Sequence, residues 1–490
     1  MLGIYLAISK FIETYLIIFI INIVFSMIII FAERRNPVST LMWVMAINFL
    51  PIIGFITYLL IGQDLSKKKM FKESKDLNQE IRNIADRQLE DIKSGKLVLS
   101  KRTEEYKEIV ELFNRGEGEV LYTKNSIKKF NNGEDLFGQM LKDMKEAKNC
   151  IYLESYIFKS DKLGKKFMEL LKKKAGEGLK VILLVDGMGG RNFKNSDRKD
   201  LEKNGVEVVI FFPGLFRTIN TRINFRNHRK IAVIDHEIGY VGGFNIGDEY
   251  LSESKKFGFW NDTHLRIIGD AVSGLEYRFF LDYSFASNKK SGEFISLVPE
   301  LLPYKEDMDK EVCIVSSGPD TKVNSIRSGY GKLITRSRKS VYIRTPYFIP
   351  DSGLMNALKT AALSGSDVNI IIPKKKDHPF VHWASLSYIG DLLSWGVKAY
   401  MYDGGFLHSK VLICDDYISS VGTANFDIRS FELNFEVNAF VFDEVLNASL
   451  KEDFIKDTKE SIEITEEYYK NRSVVVKFLE GISRLLSPLL

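Results

Sequence analysis

The sequence predicts an α/β protein made of two copies of one α/β unit, related by a pseudo-twofold axis and preceded by two membrane-spanning helices. Three observations support this prediction. Residues 1–63 carry only five of the 133 Lys, Arg, Asp and Glu residues. From residue 119 onward, short β-branched runs alternate with amphipathic helical patterns, which is typical of α/β layers. A strand-and-helix pattern then recurs at an offset of 190 residues.

Residues 1–63 form the predicted transmembrane hairpin. Residues 14–32 and 36–63 contain no charged residue, and about 20 apolar residues suffice to cross the hydrocarbon core. We therefore predict helices at about 14–32 and 41–61. A cleaved signal peptide is the alternative for the first run, but charged residues rather than a small-residue cleavage site follow it. Five lysines between residues 67 and 75 favour a multi-pass protein whose body is cytoplasmic.

The body divides into three predicted segments. Residues 64–118 alternate charged and sparse apolar positions, which indicates a solvated, charged helical linker. The first unit spans 119–300, and the second spans 301–490 and ends in a C-terminal helix. Val341-Tyr342-Ile343 repeats Ile151-Tyr152-Leu153, and a second strand follows each, at 180–185 and 367–372. Two copies are too few for a solenoid, so we expect a pair that shares an interface.

The composition excludes several classes of protein. A chain with 45% apolar and 27% charged residues is globular rather than disordered. The net charge of +5 is too small and too dispersed to indicate a nucleic-acid-binding protein. Three distant cysteines, Cys150, Cys313 and Cys414, favour buried free thiols over a disulfide framework or a metal cluster.

Two of the six histidines begin the same motif, His-x-Lys-x4-Asp. The six motif residues are the candidate catalytic residues: His228, Lys230, Asp235, His408, Lys410 and Asp415. An Asn follows each His by 17 residues, at Asn245 and Asn425. The apolar run inside each motif predicts a strand, in which His and Lys share one face and the Asp faces away. The two aspartates are therefore expected to support the site rather than to react.

An imidazole beside an ammonium group makes a site for an anion. Two copies that meet across the axis supply two of each, and Asn245 and Asn425 add hydrogen-bond donors. One His then attacks phosphorus while the other protonates the departing alcohol, because the pKa of His lies near neutrality. Since the lysines neutralise the phosphate, the pattern requires no metal and no cofactor.

The paired motifs resemble the signature of the phospholipase D superfamily, and the resemblance covers residues 119–470. Within it the chain is similar to the bacterial cardiolipin synthases. The matching features are the two-helix anchor, residues 257–264 and 425–436 after the motifs, and the ending Ser487-Pro488-Leu489-Leu490. Asn261 departs from this family, which usually has Arg there, and the departure leaves headgroup preference open.

The resemblance implies phospholipase D-like units with mixed sheets and a phosphohistidine intermediate. It implies a phosphatidyltransferase of the bacterial cell membrane that condenses two phosphatidylglycerol molecules to cardiolipin and glycerol. By the same analogy His228 is the nucleophile and His408 the acid. The family also has a second carboxylate after each motif, hydrogen-bonded to the catalytic imidazole. The matching positions are Asp262 and Glu436, which join Asn245 and Asn425 as supporting residues.

Other functions share this chemistry. A phospholipase D that uses water and a phosphatidylserine synthase remain alternatives, because the motif does not specify the acceptor. The membrane helices and the near-neutral charge disfavour a nucleic-acid phosphodiesterase, and the complete motifs disfavour an inactive scaffold. We expect a phospholipid substrate, a lipid bilayer and no nucleic acid as partners; the sequence predicts no oligomeric state. An 11-residue excess before His228, with Arg217, Arg222 and Arg226, either contacts the bilayer or is a solvated loop.

Overall fold

The structure is a computed structural model that describes residues 2–32, 37–58, 75–213, 225–254, 256–287, 289 and 308–487. The described chain forms two compact units, the N-terminal helices and a body of residues 75–213 and 226–487. Arg217 and Arg222 of the proposed membrane loop, and four of the five lysines used to predict orientation, lie outside the described residues.

The N-terminal unit contains helices α1 (Leu2–Ala32), α2 (Pro37–Phe49) and α3 (Pro51–Thr57). Among the described residues, one helix is long and apolar enough to cross a membrane, over Ile12–Phe31 with mean hydropathy 2.7. The second predicted span is not one continuous helix. The helix is interrupted at Leu50, because the following Pro51 has no amide hydrogen to donate. The Asn22 side chain donates to the Ile47 carbonyl at 3.0 Å, so α1 and α2 pack together.

The body contains fourteen α-helices within the described residues. They are α4 Lys75–Ser94, α5 Lys101–Glu104, α6 Lys107–Gly116, α7 Gly133–Glu146, α8 Lys162–Gly176, α9 Asn195–Lys203, α10 Ala271–Ser287, α11 Ser325–Arg336, α12 Ser352–Leu363, α13 Pro379–Leu393, α14 Ile428–Glu432, α15 Glu444–Lys459, α16 Glu466–Lys470 and α17 Val474–Leu486. Helix α17 lies where the sequence predicts a C-terminal helix.

The described strands are short and all lie in the body. In chain order they are β1 Leu121–Tyr122, β2 Asn125–Phe130, β3 Cys150–Ser155, β4 Lys180–Asp186, β5 Glu207–Phe211, β6 Arg226–Asn227, β7 Lys230–Ile234, β8 Ile238–Gly242, β9 Trp260–Asn261, β10 His264–Gly269, β11 Glu311–Ser317, β12 Ser340–Arg344, β13 Phe348–Ile349, β14 Asp367–Pro373, β15 Lys398–Tyr402, β16 Phe406–Leu407, β17 Val411–Cys414, β18 Ile418–Gly422, β19 Phe426–Asp427, β20 Asn434–Phe442 and β21 Ser461–Glu463.

The two large sheets have the same strand order. The first sheet runs β2-β10-β8-β7-β3-β4-β5, and the second contains β11-β20-β18-β17-β12-β14-β15 with β1 and β21 at its ends. In each, three parallel strands lie beside an antiparallel strand, β7 or β17, that belongs to the motif. Both sheets are therefore mixed, and the repeat in the sequence is a repeat of this arrangement.

The segment predicted as a solvated linker is helical, but part of it is buried. Helix α6 places Ile109, Val110 and Phe113 in the core of the second sheet with no exposed surface. Strand β1 also pairs with β11 of that sheet. The prediction of a solvated linker is thus wrong for α6: the apolar positions of this amphipathic helix form one face, and that face packs onto a distant part of the chain.

Candidate active site

The His and Lys of each motif lie at the edge where the parallel strands end. Lys230 begins β7 and pairs with Ser155, the last residue of β3. Val411 begins β17 and pairs with Arg344, the last residue of β12. The two histidines precede these strands by two and three residues, so each imidazole extends beyond the carboxyl ends of parallel strands. Ligand sites in open α/β sheets commonly occupy this edge.

Two short strand pairs join the halves at this edge. Strand β6, just before His228, pairs in parallel with the start of β20. Strand β16, just before His408, pairs in parallel with β9. As a result the backbone amide of His228 donates to the carbonyl of Phe435 at 3.0 Å, and that of His408 donates to the carbonyl of Asn261 at 2.8 Å. These pairs bring each motif against the segment that follows the other motif.

Each motif imidazole is hydrogen-bonded to a carboxylate that comes from the other half of the body. His228 Nδ1 lies 3.0 Å from both carboxylate oxygens of Glu436, which comes from the second half. His408 Nδ1 lies 2.6 Å from Oδ2 of Asp262, which comes from the first half. Both carboxylates are fully buried. A carboxylate on Nδ1 keeps the proton there and leaves Nε2 free to react. Each imidazole is therefore oriented by a residue of the other copy.

An aromatic ring packs against each imidazole. The Tyr156 ring lies 5.1 Å from that of His228 in an edge arrangement, and the Trp260 ring lies 5.1 Å from that of His408. The Phe406 ring also stacks beside His408 at 6.0 Å. These contacts restrict rotation of each imidazole ring about the bond between Cβ and Cγ. Sequence analysis did not select Tyr156 or Trp260, because aromatic residues near a strand end are usually core residues.

The two motif lysines are buried close to the imidazoles. Lys230 Nζ donates to the His228 carbonyl at 2.6 Å, and Lys410 Nζ donates to the His408 carbonyl. Lys410 Nζ also lies 2.8 Å from His408 Nδ1. Burial lowers the pKa of Lys230 to about 7 and that of Lys410 to about 8, although Glu436 and Asp262 oppose this change. Two desolvated ammonium groups side by side favour the entry of an anion.

Burial and the lysines also shift the pKa values of the histidines. Burial lowers the pKa of His408 to about 4; the charges of Lys410 and Lys230 act in the same direction, and Asp262 opposes them. Burial also lowers the pKa of His228, while the charge of Glu436 opposes the change. Burial raises the pKa values of Asp262 and Glu436, but the neighbouring Lys and His charges outweigh it and both pKa values are lowered. The empty site thus holds neutral imidazoles on charged carboxylates.

The two motif asparagines differ in their contacts. Asn245 is committed to the fold, because its oxygen accepts from the Ile157 amide and its nitrogen donates to the Tyr250 hydroxyl, both at 3.0 Å. Asn425 is also buried, and its side-chain oxygen has no hydrogen-bond partner within the described part of the chain. Asn245 therefore has one amide hydrogen left that could bind an oxyanion. Donation from Asn425 to the same oxyanion stays a prediction.

The motif aspartates bind backbone at the opposite end of the strands. Asp235 accepts from three consecutive amides, those of residues 148–150, and Asp415 accepts from those of residues 338–340. A strand rises about 3.3 Å per residue, so each Asp lies roughly 20 Å from its His. Both aspartates have positive φ, at 55° and 52°. They hold the starts of β3 and β12, away from the imidazoles, and their supporting role stays a prediction.

Further buried charges connect the motifs to the core. Arg229 donates two hydrogen bonds to Asp282 and a third to the Glu436 carbonyl at 3.0 Å. Arg344 donates to Asn261 at 2.8 Å and to Asp457 at 2.6 Å. Asn261, the departure from the family pattern, therefore belongs to a buried hydrogen-bond network. Nothing in the sequence marked these arginines, because their partners are distant in the chain.

The described residues contain no group of three or more His, Cys, Asp or Glu side chains arranged to hold a metal ion.

A family model described as the cardiolipin synthase, phospholipase D-like domain matches residues 140–260 and 330–479. The chain belongs to this family. The matched ranges contain both complete motifs of this cardiolipin synthase family. A second model, described as the phospholipase D-nuclease N-terminal region, matches residues 20–63.

Relatives in the cardiolipin synthase family are similar over nearly their whole length. Cardiolipin synthase 2 of Staphylococcus epidermidis is 46% identical over 96% of this chain and 96% of its own. The major cardiolipin synthase of Bacillus subtilis is 44% identical over 96% of this chain and 98% of its own. Among solved structures, a phosphatidylserine synthase of Haemophilus influenzae matches with a TM-score of 0.59 at 15% identity, over 78% of this chain and 99% of that chain. This likeness shows the fold.

Proposed function

We propose that the protein is a membrane-bound phosphatidyltransferase that condenses two phosphatidylglycerol molecules to cardiolipin and glycerol through a phosphohistidine intermediate. The observation that carries this proposal is the pair of imidazoles, each oriented by a buried carboxylate, that lie beside two buried lysines. Membership of the cardiolipin synthase family supports the choice of substrate and product.

In the first step, the lysines bind the phosphodiester of one phosphatidylglycerol molecule. Nε2 of His228 attacks phosphorus, so that an N–P bond forms and the P–O bond to glycerol breaks. The departing glycerol oxygen takes its proton from Nε2 of His408. The family resemblance assigns these two roles. Glu436 stabilises the positive charge that develops on His228, because its carboxylate lies on the other ring nitrogen.

In the second step, the terminal hydroxyl of a second phosphatidylglycerol molecule attacks the phosphorus of the phosphohistidine. His408, now neutral, takes the hydroxyl proton, the new P–O bond forms and the N–P bond breaks. Cardiolipin leaves, and His408 is again protonated for the next cycle. The low pKa of His408 in the empty site suits the base role. A bound phosphodiester anion raises that pKa, which suits the acid role.

The membrane arrangement is also a proposal. We infer an enzyme of the bacterial cell membrane in which residues 1–63 cross twice and the body lies in the cytoplasm. Helices α2 and α3 then form the second crossing together. A break in a membrane helix is tolerated because neighbouring helices provide hydrogen-bond partners for the freed backbone groups. The N-terminal family match over residues 20–63 supports a common role for both segments. The proposed phospholipase D-like units are 119–300 and 301–490. Residues 64–118 lead to them from the membrane segment, and α6 of this range packs into the core of the second sheet.

The first experiment measures lipid turnover by the full chain in vesicles that contain only labelled phosphatidylglycerol, with chelator present. We expect cardiolipin and free glycerol from the wild type and no turnover from His228→Ala or His408→Ala. The matched control is His236→Asn, a half-exposed histidine beside Asp235 at the far end of β7, which should keep full activity. Asn tolerates the positive φ of 62° at that position.

Three other results would change the proposal. Release of phosphatidic acid would make the enzyme a hydrolase. Loss of turnover with chelator would contradict the metal-free mechanism. Acid quenching during turnover should trap labelled phosphatidyl on the peptide that contains His228; label on the His408 peptide would reverse the two roles.

A further inference from the structure

Helix α17 presents its apolar residues outward. Its outward face consists of Val474, Val475, Phe478, Ile482 and Leu485, and the exposed fractions of Val474 and Phe478 are 82% and 66%. The spacing of four, four and three residues from Val474 through Phe478 and Ile482 to Leu485 keeps these side chains on one side of the helix. A surface helix of a soluble protein normally has the opposite orientation.

Apart from the exposed Lys477, the polar residues of α17 lie away from this face, and two of them, Glu480 and Arg484, have ion-pair partners. Glu480 and Ser483 are buried, and Glu480 forms an ion pair with Arg472 at 2.9 Å. Arg484 bonds to Asp391 of α13 at 2.5 Å, and its guanidinium lies over the Tyr388 ring. These contacts fix the rotation of α17 on α13. The helix therefore cannot turn its apolar face into the body without breaking the contacts of Arg484 with Asp391 and Tyr388.

The charge around this face fits an anionic surface. Glu480 is the acidic residue of α17, and it faces inward in its ion pair. Lys477 of α17 is exposed beside Phe478 of the outward face, and Lys470 of α16 is exposed in an ion pair with Glu466. An amphipathic helix with an apolar face and flanking lysines binds in the headgroup region of a membrane, where each basic residue adds attraction to anionic lipids.

We propose that α17 lies in the plane of an anionic bilayer, with its Val474–Leu485 face inserted among the lipids, as a membrane contact separate from the N-terminal helices. This contact would hold the body at the surface from which the substrate is drawn. It rests on the proposed function only in that phosphatidylglycerol supplies the anionic surface.

The test labels single introduced cysteines on the full chain with an environment-sensitive fluorophore. The native Cys150, Cys313 and Cys414 are buried, so labelling is selective. Phe478→Cys and Leu485→Cys report on the proposed face. The matched control is Val445→Cys, an equally exposed apolar position on α15 with an exposed fraction of 71%. The protein is reconstituted in phosphatidylglycerol vesicles with doxyl-labelled lipid in the bilayer or iodide in the water.

We expect the fluorophores at 478 and 485 to be quenched by doxyl lipid and protected from iodide, and the fluorophore at 445 to be quenched by iodide alone. Quenching of position 478 by iodide would overturn the proposal, because the face would then be in water. Protection from both quenchers would also overturn it, since another protein surface, such as a second copy, would then cover the face.

A second measurement relates the contact to turnover. Phe478→Glu should lower the rate on phosphatidylglycerol vesicles by about threefold or more and leave the rate on detergent-dispersed lipid unchanged. Val445→Glu should change neither rate. Equal rates on vesicles for the wild type and Phe478→Glu would contradict a functional contact. Absence of cardiolipin in detergent from the wild type would instead count against the proposed function, and the fluorescence result would be unaffected.

Discussion

At the scale of single residues, neither copy of the motif forms a complete site. His228 and Lys230 come from the first half, but the carboxylate on Nδ1 of His228 comes from Glu436 of the second. Asp262 of the first half serves His408 in the same way. Because the partner of each imidazole is fully buried and charged, the energy of each pair depends on the two halves meeting correctly.

The exchanged carboxylates should act through the imidazole that they orient. We predict that Glu436→Gln lowers kcat by roughly 10²- to 10⁴-fold, because a side-chain amide favours the wrong tautomer and no longer stabilises the imidazolium ion. The measurement is kcat for cardiolipin formation, with the melting temperature of each variant to check folding. Asp262→Asn should show a loss of the same order through His408. A change of less than about threefold in either variant would mean that the carboxylate only packs there.

Sequence reasoning predicts part of this site. The spacing of the two motifs selected His228, Lys230, His408 and Lys410, because a two-residue interval in a strand places both side chains on one face. Asp262 and Glu436 came from the family pattern, but their exchange did not, since it depends on pairing between segments 146 and 208 residues apart. Asn245 was expected to contact the anion, and most of its hydrogen-bonding capacity is used by Ile157 and Tyr250.

At the scale of elements, the last motif residue is hydrogen-bonded to the start of a neighbouring strand. Asp415 accepts hydrogen bonds from three consecutive amides at the start of β12 and from the Ser337 hydroxyl. Asp235 does the same for β3. These strands lie next to β17 and β7, so the aspartates set the register of the strands that carry His and Lys.

We predict that Asp415→Ala destabilises the body by about 2–4 kcal/mol, because several amides lose a charged acceptor and alanine is strained at positive φ. The melting temperature of the purified full chain should fall by several degrees, measured by circular dichroism in detergent. Asp415→Asn should recover part of the loss, because asparagine tolerates this backbone conformation and keeps one acceptor. A large loss of kcat at an unchanged melting temperature would instead show that Asp415 takes part in the reaction.

Two elements show why local patterns were insufficient. In α6 the charges of the segment predict a solvated helix, but Ile109, Val110 and Phe113 pack against Ile326 and Tyr330 of α11, among other core residues. That partner lies more than 200 positions away and leaves no local signal. In the second apolar run, composition predicts one span, whereas Pro51 divides the run into α2 and α3.

At the scale of the whole molecule, duplication builds one site from two sheets of the same strand order. The repeat at an offset of 190 predicted two copies and a shared interface, and the described residues contain both. A single anion between the two motifs would meet both lysines at once. The charge of Lys410 contributes to the lowered pKa of Lys230, as expected for two cations that face one position.

This arrangement predicts the stoichiometry of anion binding. Dimethyl phosphate, a phosphodiester with one negative charge, should bind once per chain in calorimetry on the full protein. Lys230→Met and Lys410→Met should each weaken that binding by about tenfold or more, because each removes a charge that contacts the same phosphate. Two independent sites per chain, with one lysine variant affecting only one of them, would show that the halves do not share a site.

The same lysines determine how this binding depends on pH. Their pKa values of about 7 and about 8 lie below the ordinary value for lysine, so both are largely neutral in the empty site above pH 8. A phosphodiester binds the protonated forms, so binding takes up protons and is favoured at low pH. The dissociation constant should therefore rise by about tenfold per pH unit for each proton taken up, first above pH 7 and more steeply above pH 8. Dimethyl phosphate does not titrate in this range, so its affinity between pH 6.5 and 9 reports the protein groups alone. A flat profile would mean that the lysines stay charged in the empty site, and the halves would then hold two permanent cations rather than two that the substrate protonates.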